Sequence, residues 1–138
     1  TERPMGQMHV SLNSLPQTGA AVGWASGHTV VIDRAEGRAG GTGLGFNGGE
    51  MLALALGGCL CNDLRYMAET LATPLGPINV EVTLDLEGDP LLVVGALLTV
   101  DCALADGGEA SAVIEAAIAD STVSNSVQRG IPVRFARR

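Results

Sequence analysis

The sequence predicts an α+β fold with antiparallel sheets packed around a long central helix, and three observations carry that expectation. Ile78, Val80, Val82, Leu84 and Leu86 alternate without a break against Asn79, Glu81, Thr83, Asp85 and Glu87, the period of two of a strand with one wet face. Glu50 to Ala72 is rich in helix formers and stops before Pro74, which biases Thr73 away from helical angles. In 138 residues, 46% hydrophobic side chains suffice for one packed core, so a single domain over 1–138 is expected.

Taken in order, Met8, Val10 and Leu12 alternate with His9, Ser11 and Asn13 and read as a first half-buried strand. Thr29 to Asp33 is β-branched and suits a pleated surface, giving a hairpin at the start of the chain. Between Gly37 and Gly49 seven of thirteen residues are glycine, a density that reads as a loop. In the helix that follows, the first three turns are apolar on every side and are expected to be buried all round, whereas Asp63, Arg65 and Glu69 mark a wetter second half. Gly57 and Gly58 cost helix stability, which predicts a close approach of another helix or chain. After the alternating strand, Gly88-Asp89-Pro90 is a turn, and Leu91 to Leu104 is the more central partner of a second hairpin. Glu109 to Asp120 has Val113, Ala116 and Ala117 at helical spacing, a short helical piece through Gln128 ends at Gly130, and an edge strand at Pro132–Phe135 completes the order βββ, α, ββ, α, β.

Composition narrows the function. Eight basic against fifteen acidic residues leave a net charge of −7, which argues against nucleic acid and anionic membranes as partners. Every basic residue is arginine, so no lysine is present for Schiff-base chemistry. The longest apolar run, Met51–Cys61, is shorter than the roughly 20 residues that span a bilayer. The first fifteen residues, with Glu2 and Arg3, carry no apolar leader, so the cytoplasm is the expected compartment. Three cysteines cannot all pair within one chain, which leaves at least one free thiol.

Gly43-Leu-Gly-Phe-Asn-Gly48 fits the spacing of a phosphate-binding loop, which predicts a bound flavin or nucleotide. No strand feeds directly into it and no parallel βαβ unit follows, so a plain loop is the better reading and no cofactor is expected. Cys59-Leu60-Cys61 is not a redox C-x-x-C, and two helical positions turn the sulfurs apart by roughly 200°. His9 and His28 lie far upstream, without zinc spacing, so no metal is expected either. Cys102 reads as a small hydrophobe in a strand. Cys59 shares its helical face with Leu52, Ala55 and Leu56 on one side and Asn62, Asp63 and Tyr66 on the other, the border of an apolar pocket. A thiol acts as a nucleophile when ionised, and Asp63 on the same face opposes that charge. An arginine from elsewhere is required, and Arg34 and Arg38 beside the glycine loop are the candidates. Glu50 lies about 13 Å along the helix from Cys59. It is either a catalytic carboxylate or a first-turn acid favoured by the helix dipole.

Asn47-Gly-Gly-Glu-Met-Leu-Ala-Leu-Ala-Leu-Gly-Gly-Cys59 resembles the central-helix signature of the OsmC/Ohr family, the osmotically inducible protein C and organic hydroperoxide resistance proteins. Ser121-Thr-Val-Ser-Asn-Ser126 and Gly130-Ile-Pro-Val133 resemble its second motif. The resemblance implies an intertwined homodimer with sites at the subunit interface. It also implies oxidative-stress chemistry, in which a helix cysteine reduces a hydroperoxide and a second cysteine then condenses with the sulfenic acid. Cys59 matches the first position, whereas the second is Ser121, which cannot form a disulfide, so an external thiol reductant is implied. The hydroperoxidase branch carries its glutamate where this chain has Gly49, other members resemble Glu50, and the family arginine falls near Trp24 or Ala25. The leading expectation is therefore a one-cysteine peroxidase using Cys59 and Glu50, with Ser121, Arg34, Arg38, Asn62 and Asp63 lining the site. The alternative is a non-catalytic dimer that binds a small apolar ligand at the interface.

Overall fold

A computed structural model describes residues 5–138; Glu2 and Arg3 lie outside the described residues. The chain divides into two compact units, Thr1–Met51 and Leu52–Arg138. The architecture is α+β with antiparallel sheets and a long helix, as the sequence predicts.

The first unit holds a three-stranded antiparallel sheet in the order β1 (Ser11–Ser14), β2 (Ala21–Ala25), β3 (His28–Ile32). β1 starts later than the Met8–Asn13 alternation implies, and Met8 and Val10 are exposed. Leu12 pairs with Gly23. Ser26 and Gly27, both at positive φ, form the two-residue connection between β2 and β3 that hairpin twist favours. The glycine-rich segment is an ordered loop laid along β3: Phe46 bridges Ile32, its N–H donates to the Val31 carbonyl, and its own carbonyl accepts from Asp33. Two glycines are explained by this path. A Cβ on Gly45 would run into the Val31 carbonyl, and one on Gly41 would lie 2.7 Å from the Ala35 carbonyl oxygen.

Helix α1 (Gly48–Thr70) starts two residues before the expected boundary. Beyond its first turn it belongs to the second unit, with the hairpin β4 (Leu75–Glu87) and β5 (Leu92–Leu104) and helices α2 (Ser111–Asp120) and α3 (Thr122–Arg129). Leu60, Leu64 and Ala68 of α1 pack with Leu75, Ala110, Val113 and Ala117, and the inward row of the hairpin, including Val80, Leu98 and Val100, closes over them. Five expectations are corrected. α1 is not buried all round, because Leu54 is 48% exposed, and Asp63 is buried rather than wet. Gly57 accommodates neither a helix nor another chain but β4: a Cβ there would sit 2.8 Å from Val82. β5 is not central, since its sheet has two strands and Leu92, Val94 and Leu97 are exposed. Pro132–Phe135 forms no strand, whereas the helical stretches expected to Asp120 and on through Gln128 are found as α2 and α3, separated at Ser121 and ended at Gly130 with φ of 77°.

Gly57→Ala is therefore expected to lower unfolding stability by about 1–3 kcal/mol, because an added methyl overpacks the helix–strand contact. In an open helix the same change gains about 1 kcal/mol, so denaturant titration reads the sign directly. A midpoint equal to or above that of the parent would show that β4 yields.

Candidate functional site

The site forms around Cys59, halfway along α1, where the apolar stripe of Leu56, Leu60 and Leu64 meets the buried carboxyl of Asp63. Cys59 is half-buried, and one turn further on Asp63 is 8% exposed. The i, i+4 spacing stacks the two side chains, and the Cys59 Sγ–H donates to Asp63 Oδ2 at 3.4 Å. Sixty-two positions along the chain, Ser121 comes in from the α2–α3 break, and its Oγ–H donates to Cys59 Sγ at 3.8 Å. Ser121 stands at the N-cap of α3 with extended backbone angles, and its carbonyl accepts the first helical bond from Asn125. A serine there ordinarily turns its hydroxyl onto the helix N–H groups, but this one makes no such cap. It is 1% exposed, and its hydroxyl is directed at the thiol instead.

An apolar cavity of about 410 Å³ lies in the same unit, lined by Leu52 and Leu56 of α1, Val93, Val94 and Leu98 of β5, and Ser124 and Val127 of α3. Leu52 and Leu56 precede Cys59 by seven and three residues and share its helical face, although Cys59 itself does not line the cavity.

Of the residues expected at the site, the second unit brings together Cys59, Asp63 and Ser121. Asn62 is on the same helix but exposed. Glu50, Arg34 and Arg38 belong to the first unit, and the bonds seen for Glu50 and Arg34 stay within it. Glu50 completes a capping box: its Oε1 accepts from the Asn47 N–H at 3.0 Å, and Asn47 Oδ1 accepts from the Glu50 N–H at 2.8 Å. The Arg34 guanidinium donates to the Gly19 carbonyl at 2.8 Å and lies 3.5 Å from Asp33. Arg38 lines a shallow cleft with Arg34, Ala35, Ala39 and Asn47.

Two features escaped the sequence reading. The first is Asp33, buried at the end of β3, whose carboxylate accepts from the backbone N–H groups of Arg34, Thr42 and Leu44 and from the Thr42 hydroxyl. These donors, with the Leu44 N–H foremost, hold its carboxyl at about 2, below the ordinary 3.8. An aspartate at a strand end before a loop of small residues is the signal that could have found it. The second is the burial of Asp63, whose place beside the thiol the i, i+4 spacing does predict. Cys102, by contrast, matches its reading as a small hydrophobe: it packs against the core, and burial first, then the neighbouring Asp101 charge, pushes its thiol up.

Residues 41–136 match the sequence model of the OsmC-like protein family. No curated protein matches the chain by sequence. Among solved structures, the fold is similar to an OsmC-like protein of Mycoplasma pneumoniae, with a TM-score of 0.74 at 14% identity over 91% of this chain and 89% of that one. It is also similar to an OsmC-like protein of unknown function from Vibrio cholerae, with a TM-score of 0.76 at 10% identity over 90% and 95%. A third relative by fold is an organic hydroperoxide resistance protein of Legionella pneumophila, described as a predicted redox protein, with a TM-score of 0.64 at 14% identity over 91% and 92%. The match covers well over half the chain, Cys59 included, and the fold is shared with OsmC-like structures: this protein belongs to the OsmC-like family.

Proposed function

We propose that the protein is a one-cysteine thiol peroxidase acting on hydroperoxides through Cys59. The observation that carries this reading is the direction of the Ser121 hydroxyl, which forgoes a helix cap and hydrogen-bonds the sulfur from a fully buried position. In the reaction the Cys59 sulfur attacks the terminal peroxide oxygen, the O–O bond breaks, and the sulfur is oxidised to sulfenic acid while the peroxide leaves as an alcohol with the thiol proton. Ser121 donates to the sulfur throughout but has no sulfur to trap the product. Two equivalents of an external thiol then return Cys59 to the thiol, releasing water and a disulfide, which suits a thiol-rich compartment such as the cytoplasm. The apolar cavity beside α1 and α3 suits the carbon chain of an organic hydroperoxide.

The proposal includes a homodimer. Leu54 on α1, Leu97 on β5, and Ile131, Val133 and Phe135 in the tail are all exposed in the single chain, and nothing lies within 4 Å of the space above Gly58. Such a spread of apolar surface marks a protein contact. The same cavity also favours the second reading, a dimer that binds an apolar ligand without turnover.

Peroxide consumption with excess dithiol separates the two. Cys59→Ser is expected to fall to the rate of the reductant alone, whereas Cys61→Ser and Cys102→Ser keep the parent rate. A parent protein no faster than Cys59→Ser would leave only the ligand-binding reading.

A further inference from the structure

We propose that Asp63 is the proton acceptor for the Cys59 thiol and hands that proton to the departing oxygen, an inference that rests on the peroxidase reading of the same site. A carboxylate taken out of water is ordinarily surrounded by strong donors. Asp33 shows this pattern, with three backbone N–H groups and a hydroxyl on its two oxygens. Asp63 is 8% exposed, its second oxygen still open to solvent, and among the described residues it accepts one hydrogen bond, from the weak donor Cys59 Sγ–H at 3.4 Å. A stability role would be better served by stronger donors. The sulfur is held from a second side by the Ser121 hydroxyl, which acts as a donor and leaves the thiol proton directed at Asp63. The three side chains thus form a directional chain: Ser121 O–H to sulfur, and sulfur S–H to carboxylate.

A carboxylate is a weak base toward a resting thiol, so the transfer belongs to the reaction itself. As the S–O bond forms, the sulfur loses electron density and its proton becomes strongly acidic. Asp63 Oδ2 then accepts it while the O–O bond breaks. The alkoxide that leaves is a far stronger base than a carboxylate and takes the proton from Oδ2–H, restoring Asp63 for the next cycle. Sulfur gives up two electrons, the peroxide gains them, and no proton is left over. Asp63 touches the reacting sulfur and is in this sense catalytic.

The opposite role is open to a carboxylate at this position, which can suppress the nucleophile by charge repulsion, and the two roles predict opposite signs. The test is the rate of Cys59 alkylation by iodoacetamide at neutral pH, read on the Cys59 peptide by mass spectrometry, in the parent, Asp63→Asn and Asp63→Glu, with circular dichroism confirming the fold of each. Asp63→Asn is expected to react about tenfold more slowly or worse, and Asp63→Glu to recover a substantial part of the rate. An unchanged or faster Asp63→Asn overturns the proposal, and so does an equal loss in both variants, which would mark a packing role. A parallel reaction with cumene hydroperoxide keeps the two claims apart. If Cys59 alkylates but gains no oxygen, the peroxidase reading fails, while the alkylation ratio still decides for or against Asp63.

Discussion

On exposure to one equivalent of hydroperoxide, the Ser121→Cys variant is expected to lose two hydrogens and close a disulfide between Cys59 and the new thiol, whereas the parent gains one oxygen on Cys59. The Ser121 Oγ already stands 3.8 Å from the Cys59 Sγ, so bond formation to about 2 Å needs side-chain rotation and a small backbone adjustment rather than rearrangement. Both residues are at least half-buried, which shields the sulfenic acid from outside thiols long enough for the inside one to react. The enclosed loop spans the 62 positions between them, for which the chain-entropy account gives about 4 kcal/mol of stabilisation in the oxidised variant. The expected result is a two-cysteine cycle, with a melting temperature that rises on oxidation and falls on reduction. Intact-mass and peptide analysis checks it. Retention of the oxygen in the variant, with no disulfide, would show that the Ser121 position does not reach the sulfur in the reacting state.

How much of this site could be read from the sequence follows from which interactions are local. The alternation of Ile78 to Leu86 and the helix ending before Pro74 are set by short-range patterns and are found as expected. Gly130 ends its helix at positive φ for the same reason. Helical spacing places Asp63 beside Cys59 but does not reveal its burial, because a charged residue on a helix defaults to solvent. Ser121 reaches the neighbouring Cys59 from the α2–α3 break, a contact between positions 62 apart that no periodicity encodes. Ile131, Val133 and Phe135 do alternate as a strand should, but the described chain offers the tail no paired edge, and a strand exists only through its neighbour. Gly57 was correctly read as a close approach and wrongly assigned to a helix or second chain, since a missing Cβ records that something is near without recording what.

The glycine-rich loop is expected to come apart when the Asp33 carboxylate is removed. Two oxygens accept four hydrogen bonds there, from the N–H groups of Arg34, Thr42 and Leu44 and from the Thr42 hydroxyl, and an alanine leaves every one of those donors without its acceptor. Asp33→Ala should therefore expose the Thr42 and Leu44 amides to rapid hydrogen exchange, while the β4–β5 amides of the other unit stay protected. The pH dependence follows from the depressed carboxyl. Because Asp33 titrates at about 2 when folded against an ordinary 3.8, its contribution to stability is complete above the unfolded value. That contribution shrinks as pH falls below 3.8 and is lost as pH passes through about 2. Asp33→Asn cannot titrate and keeps a single acceptor oxygen, so it should be less stable than the parent at neutral pH and show a flatter stability curve across that acid window. Chemical denaturation at a series of pH values reads both quantities. Parallel curves for parent and variant between pH 2 and 3.8 would mean that the loop is not held by the ionised form, and that the four donors are satisfied equally well by a neutral side chain.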